Sequence, residues 1–200
     1  MTVEARMMIA EARQDGESLG RLLELYRNYL RLLARIEIGR RMQGKVDASD
    51  VVQEAFLDAH RYFPNFRGTE EGQFTAWLRE ILAGTLANQV RRYFGTKARD
   101  PRLEVGFARD LDQSSVGLGN ILVDSGTSPS RQVDRREQSL LVAEALGRLP
   151  EHYRTVIVLR HLEGLTFPEI AVRMDKSIDS VEKLWLRGLT QLRKAFGAAP

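Results

Sequence analysis

Residues 74–90, FTAWLREILAGTLANQV, place Phe74, Trp77, Leu78, Ile81, Leu82, Leu86 and Val90 three and four positions apart. That spacing gathers apolar side chains on one face of an α-helix, whereas a strand would scatter them over both of its faces. The helix runs out into Arg91-Arg92-Tyr93-Phe94. The same period recurs upstream. Leu22, Leu23, Tyr26, Leu30 and Leu33 follow Leu19, between breaks at Asp15-Gly16 and Gly44. Val51, Val52, Ala55, Phe56 and Ala59 then share a face, with Asp47 or Ser49 as the N-cap. A short first helix from Val3 to Arg13 either packs on these or stands free. YFPNFRGTEEGQ, residues 62–73, reads as a loop from its Pro, Asn and Gly.

Downstream the character changes. Residues 96–132 carry Gly, Ser, Pro and a mild acidic lean with no sustained period, which predicts a flexible linker, partly disordered when free. Helical period returns at about Arg135 and holds to Phe196, in the pieces RREQSLLVAEALGRL, PEHYRTVIVLRHLEG, LTFPEIAVRM and SIDSVEKLWLRGLTQLRKAF. No strand signal and no internal repeat occurs. The expected fold is all-α: two small helical domains, residues 1–95 and 136–200, joined by a linker over 96–135.

The hydrophobic share of 43% suffices for a real core. Thirty Lys and Arg against 27 Asp and Glu leave a net charge of only +3, so a surface for nucleic acid has to be concentrated locally. The absence of cysteine excludes disulfides and thiolate metal sites. No stretch approaches the roughly 20 apolar residues of a membrane helix. The charged N-terminus lacks the apolar core of a signal peptide. A cytoplasmic chain without membrane insertion is expected.

Residues 165–189, LTFPEIAVRMDKSIDSVEKLWLRGL, have the build of a helix-turn-helix. Ile170 and Ala171 turn inward, Pro168 sits in a first turn where a missing N–H costs nothing, and Asp175-Lys176 makes the turn. Ser177 caps the second helix, whose Val181, Leu184, Trp185, Leu189 and Leu192 face the core. Ser180, Lys183, Arg187, Gln191 and Lys194 fall on another face, suited to a major groove. The plainer alternative is an α-hairpin with a solvated basic face. Asp179 and Glu182 oppose phosphate, and so few cations imply weak binding alone. A reader held on its target by something larger fits best.

DASDVVQEAFLDA, residues 47–59, raises a different choice. Asp47, Asp50, Gln53, Glu54 and Asp58 are either metal ligands or a surface for a basic partner. The metal reading, and with it a Mg²⁺-dependent nucleic-acid enzyme, lacks a second carboxylate cluster and catalytic spacing. An acidic stripe on a rigid helix suits an Arg-rich partner through charge-assisted hydrogen bonds. His60, His152 and His161 are scattered and read as surface or packing residues. No nucleophile or phosphate loop is visible, so neither enzymatic activity nor a cofactor or metal is expected.

Three motifs in order carry a family likeness: DASDVVQEAFLDAHRYFPNFRG, FTAWLREILAGTLANQVRR and LPEHYRTVIVLRHLEGLTFPEIA. The chain resembles a bacterial RNA polymerase sigma factor of the sigma-70 superfamily, of the extracytoplasmic-function (ECF) type. Residues 19–94 are similar to its region 2 and residues 136–196 to its region 4. The resemblance implies a promoter-specificity subunit whose partners are core RNA polymerase, through the β′ clamp helices and β, and promoter DNA. It adds an anti-sigma factor as a candidate partner. Asp50, Gln53 and Glu54 match the positions that contact the clamp helices, with Asp58 on the same helix. Phe66 and Arg67 match a pocket that captures a base flipped from the −10 element, with Asn65 beside them; for Phe66 the alternative is core packing. Asn88, Gln89, Arg91 and Arg92 end the helix that reads −10. Ser177, Ser180, Glu182, Lys183 and Arg187 fall on the −35 reading helix.

The chain departs from the family pattern in places. The stretch between Phe66 and Phe74 is longer than usual, Ala83-Gly84 replaces Arg-Asn, Asn88 replaces Asp, and Asp175 stands where Gly is usual. In the reading helix Glu182 replaces a cation and Leu184 an Arg. The competing function is a stand-alone helix-turn-helix regulator of duplex DNA. It would predict a dimerisation surface and leave residues 19–94 without a role.

Overall fold

Every regular element is a helix among the residues that the computed structural model describes, which are 2–42, 46–95, 102–122 and 132–197. The chain clusters into two units, Met1–Gln113 and Ser114–Pro200.

In unit 1 the first helix, α1 (Thr2–Ala12), buries Ala5, Ile9 and Ala12 and packs on the second. Asp15 then stops one helix and starts another. Its carboxylate accepts from the Ser18 N–H at 2.7 Å, which opens α2 (Gly16–Arg41). That hydrogen bond also holds the Asp15 carboxyl below its ordinary value. α2 buries Leu22, Leu23, Tyr26, Leu30 and Leu33, the face its spacing predicts. α3 (Ala48–Tyr62) packs on α2 through Val51, Val52, Ala55, Phe56 and Ala59. It ends in one 3-10 turn, Phe63–Asn65, before α4 (Glu71–Phe94). The start of α4 is a capping box between Glu70 and Gln73. Its Phe74, Leu78, Leu82 and Leu86 are buried, and each such side chain contributes roughly 1.5–3 kcal/mol through burial.

The expected linker is partly helical. α5 (Arg102–Asn120) occupies the middle of the segment read as periodless. Phe107, Leu111 and Leu118 are fully buried and Leu103 half-buried, a spacing of four, four and seven that is helical. Buried Ser114 and Ser115 fill the intervening inward turn, so small polar residues hide the apolar stripe. Electrostatics fix its first half within unit 1. Arg41 pairs with Asp110 and lies 4.5 Å over the Phe107 ring, and Arg79 donates to Asp112 at 2.8 Å. The acidic lean of this stretch is therefore partly spent inside the protein. The flanks, 96–101 and 123–131, lie outside the described residues.

Unit 2 adds α6 (Gln132–Arg148), α7 (Glu151–His161), α8 (Phe167–Met174) and α9 (Ile178–Gly197). Val142, Ala145, Leu146, Val156, Ile157 and Leu159 are buried with Ile170, Val181 and Leu192. Gly188 lets α9 approach α7. A Cβ there would stand 3.2 Å from Ile157 Cδ1 and 3.4 Å from Tyr153 Cβ.

Candidate nucleic-acid interface

α3 presents the acidic residues from a firmly held helix. Asp47 is its N-cap, accepting from the Ser49 N–H at 2.6 Å, and this bond keeps its carboxyl below the ordinary value. Opposite the buried stripe, Asp50 and Gln53 are exposed. Asp58 is half-buried and stands 3.5 Å from Arg61. Glu54 is drawn inward. Its carboxylate accepts from the side-chain amide of Gln89, and Arg92 lies 3.7 Å from its other oxygen. One residue absent from the expected set completes this face. Leu57 is 63% exposed, one turn beyond Gln53. The signal was its place next to Phe56, which puts it off the buried stripe. Among the described residues no group of three or more His, Asp or Glu is placed to hold a metal ion.

The loop after α3 places Phe66 inward. Its ring is buried, 5.0 Å from Trp77, 5.6 Å from Phe74 and 5.9 Å from Phe63 between centroids. Gly68 closes over it, since a Cβ at Gly68 would stand 2.5 Å from Phe66 Cζ. The ring thus packs in the core, the alternative weighed for Phe66. The reason is tertiary: Phe74 and Trp77 of α4 offer the ring a drier place than solvent. Asn65 and Arg67 remain exposed, and Arg67 donates to the Pro64 carbonyl at 3.2 Å.

At the other end of α4, Asn88 is exposed and accepts from Arg91 at 2.8 Å. Arg92 is exposed, but Gln89 is buried and turned toward Glu54. Gln89 is therefore not presented with Asn88, Arg91 and Arg92; it braces α3 against α4. Exposed Tyr93 and Phe94 follow the arginines and were not among the expected contacts. Gly84 faces Glu104 of α5 at an ordinary distance, 3.6 Å from where a Cβ would sit, so sterics do not demand glycine.

In unit 2 the helix-turn-helix is capped at both starts. Thr166 and Glu169 form a capping box at α8, with Pro168 in the first turn. Asp175 takes the left-handed conformation, φ 52° and ψ 53°, where glycine is usual. Ser177 Oγ accepts from the Ser180 N–H at 3.2 Å and lies 2.8 Å from its hydroxyl, so both serines are engaged in starting α9. Lys183 is exposed and paired with Asp179 at 2.7 Å, and Arg187 is exposed one turn further on. Glu182 is exposed too, but at 3.6 residues per turn it lies roughly 140° round the helix from Arg187. The structure therefore brings Lys183 and Arg187 together and leaves Glu182 at the margin. Trp185 is anchored by donating to His161 Nε2 at 3.0 Å and by an edge contact with Phe167.

The two units carry two family matches. The Sigma-70 region 2 family model matches residues 25–93, and that for Sigma-70, region 4 matches residues 139–192. The chain is 32% identical over 167 residues to the ECF RNA polymerase sigma-E factor of Haemophilus influenzae, covering 84% of this chain and 81% of that one. It is 31% identical over 150 residues to the RNA polymerase sigma-H factor of Pseudomonas aeruginosa, covering 75% and 73%. Against the ECF RNA polymerase sigma-E factor of Escherichia coli strain K12 the identity is 33% over 135 residues, covering 68% and 66%. The chain belongs to the sigma-70 family of bacterial RNA polymerase sigma factors, in its ECF branch, and is an alternative sigma factor for transcription initiation.

Proposed function

We propose how this sigma factor divides its labour. Membership of the family implies binding to core RNA polymerase and to promoter DNA, with polymerisation left to the core. Residues 1–95 engage the core and the −10 element, residues 136–200 engage the −35 element, and residues 96–135 connect them. The face of α3 docks on the β′ clamp helices through Asp50, Gln53 and Asp58, with Leu57 as an apolar centre among them. Glu54 acts from behind this face, braced by Gln89. Asn65 and Arg67 of the loop, with Asn88, Arg91 and Arg92 of α4, contact −10 DNA. Lys183 and Arg187 of α9 approach −35 phosphates and base edges, and Ser177 and Ser180 set the start of that helix. Glu182 lies beside this surface. An anti-sigma factor that covers the same faces would act by competition.

The observation that carries this reading is the exposed Asp50–Gln53–Leu57 stripe on a helix whose opposite face is fully packed. Leu57 adds an exposed apolar contact between the polar side chains of this face, on a helix held rigid from behind. Co-elution of the purified chain with bacterial core RNA polymerase, without nucleic acid, tests it. Wild type should form the complex, and Asp50→Ala/Leu57→Ala should weaken it by roughly tenfold or more, as loss of one hot spot does. A double variant that binds like wild type would remove α3 from the interface.

A further inference from the structure

The loop at residues 66–70 is tied from three sides. Phe66 is buried beneath Gly68, and Gln73 Oε1 accepts from the N–H groups of Thr69 and Glu70 at 2.9 and 3.2 Å. The remaining ties come from the N-terminal helix and the turn that ends it. Arg13 Nη2 donates to the Gly68 carbonyl at 2.6 Å. Arg6 donates through Nε to Glu70 Oε2 at 2.8 Å, and its Nη2 stands 2.7 Å from the same oxygen. Buried Ala5, Ile9 and Ala12 hold α1 itself, so these guanidinium groups start from a fixed support. Arg13 also lines an open cavity of about 490 Å³ with Gln14, His60, Pro64 and Arg67. All of α1 lies upstream of residue 25, where the region 2 match begins.

We propose that α1 is a positioning element of the −10 reading loop. Arg13, assisted by Arg6, holds Gly68 and Glu70 so that Asn65 and Arg67 meet DNA in one geometry. Exposed ion pairs contribute little to global stability. What they supply here is location: a loop held in its bound shape loses less freedom on contact and tolerates fewer wrong bases. The longer stretch between Phe66 and Phe74 needs such external ties, because extra residues widen the conformations open to an untethered loop. This inference rests on the reading that the loop touches the −10 element.

The test uses holoenzyme assembled from the full chain and core RNA polymerase on a linear template library randomised over both promoter elements. Each template carries a transcribed barcode that identifies its promoter, so sequencing the barcodes in the run-off transcripts gives the base preference at each −10 position. Arg13→Ala should flatten preference several-fold at the position the loop reads, while affinity for core stays within twofold of wild type. Arg13→Lys should restore part of it, because an ammonium still donates to a carbonyl. Arg67→Ala should alter the same position. If Arg67→Ala shifts preference while Arg13→Ala changes all templates alike or none, α1 is structural only and the proposal fails alone. If Asn65→Ala and Arg67→Ala also leave preference untouched, the loop does not read −10 DNA, and both readings fall together.

Discussion

Unit 1 fully buries charged and amide side chains, whereas those described in unit 2 stay at least partly exposed. Glu37, Glu71, Arg79 and Gln89 are all buried in unit 1, while the buried polar side chains described in unit 2 are Ser114, Ser115 and Ser139. Arg79 joins α4 to Tyr29 of α2 at 3.0 Å and to Asp112 of α5 at 2.8 Å. The charged groups of α9 stand on an aliphatic floor of Val181 and Leu192 and bond mainly to near neighbours, as Lys183 does to Asp179. The contrast separates what can change freely from what cannot. A substitution behind the α3 face disturbs the fold, because a buried polar group that loses its partner keeps its full desolvation cost. A substitution on α9 alters the surface and leaves the core alone. This gives a physical reason why Glu182 and Leu184 depart from the family pattern without loss of the helix-turn-helix.

The largest effect that could break the comparison is Arg79→Ala. It strips Tyr29 and Asp112 of a buried donor and should destabilise unit 1 by about 2–4 kcal/mol. Urea unfolding followed by Trp77 emission, in a Trp185→Phe background, measures it. Arg187→Ala should shift stability by less than about 0.5 kcal/mol. Comparable losses in both variants would erase the distinction between the units. Gln89→Leu comes next. It takes the amide from the half-buried Glu54 carboxylate, so a cost of about 1–2 kcal/mol is expected in the same assay. Core affinity should fall with it, since Glu54 sits behind the α3 face. Unchanged stability would mean that Glu54 finds water as readily as it finds Gln89.

These contacts also mark where sequence reasoning stops. α2, α3 and α4 are legible because their apolar residues repeat at helical spacing over several turns. The α8–α9 turn is legible through Pro168, Asp175 and Ser177, whose chemistry is local. α5 is not, because Gly106, Gly117, Gly119 and two serines interrupt its stripe and read as linker composition. The fate of Phe66 depends on Gly68, Phe74 and Trp77 closing round it, which no local spacing encodes. Glu54 meets Gln89, and Arg13 meets Gly68, only through packing between helices. Residue type and spacing thus mark a candidate surface, while the orientation of each side chain is set by long-range contacts.

A smaller effect sharpens the unit 2 side. Asp175 is the one non-glycine residue with positive φ among the described residues. Asp175→Gly should relieve the left-handed backbone and stabilise unit 2 by about 0.5 kcal/mol, net of the extra freedom glycine gives the unfolded chain. Thermal unfolding of the variant measures it. A destabilised variant would show that the Asp175 side chain contributes more than its backbone costs.

The smallest effect concerns His161, the last residue of α7, which meets Trp185 of α9. Trp185 Nε1–H donates to His161 Nε2, which must therefore carry no proton. Partial burial of the ring, and then the neighbouring Arg160 cation, hold His161 below the ordinary histidine value of 6.5. The unfolded chain thus takes up this proton at higher pH than the folded one. The stability that the neutral ring contributes is whole above 6.5 and is lost as pH falls from there through the folded pKa. Protonation also sets two N–H groups face to face, so the indole should move. In a Trp77→Phe background, Trp185 emission should change over that window, and the unit 2 melting temperature should drop with it. His161→Gln keeps an acceptor for the indole and should abolish both pH responses. If emission and melting temperature stay flat down to pH 5, the ring is not the acceptor, and unit 2 holds its reading helix by apolar packing alone.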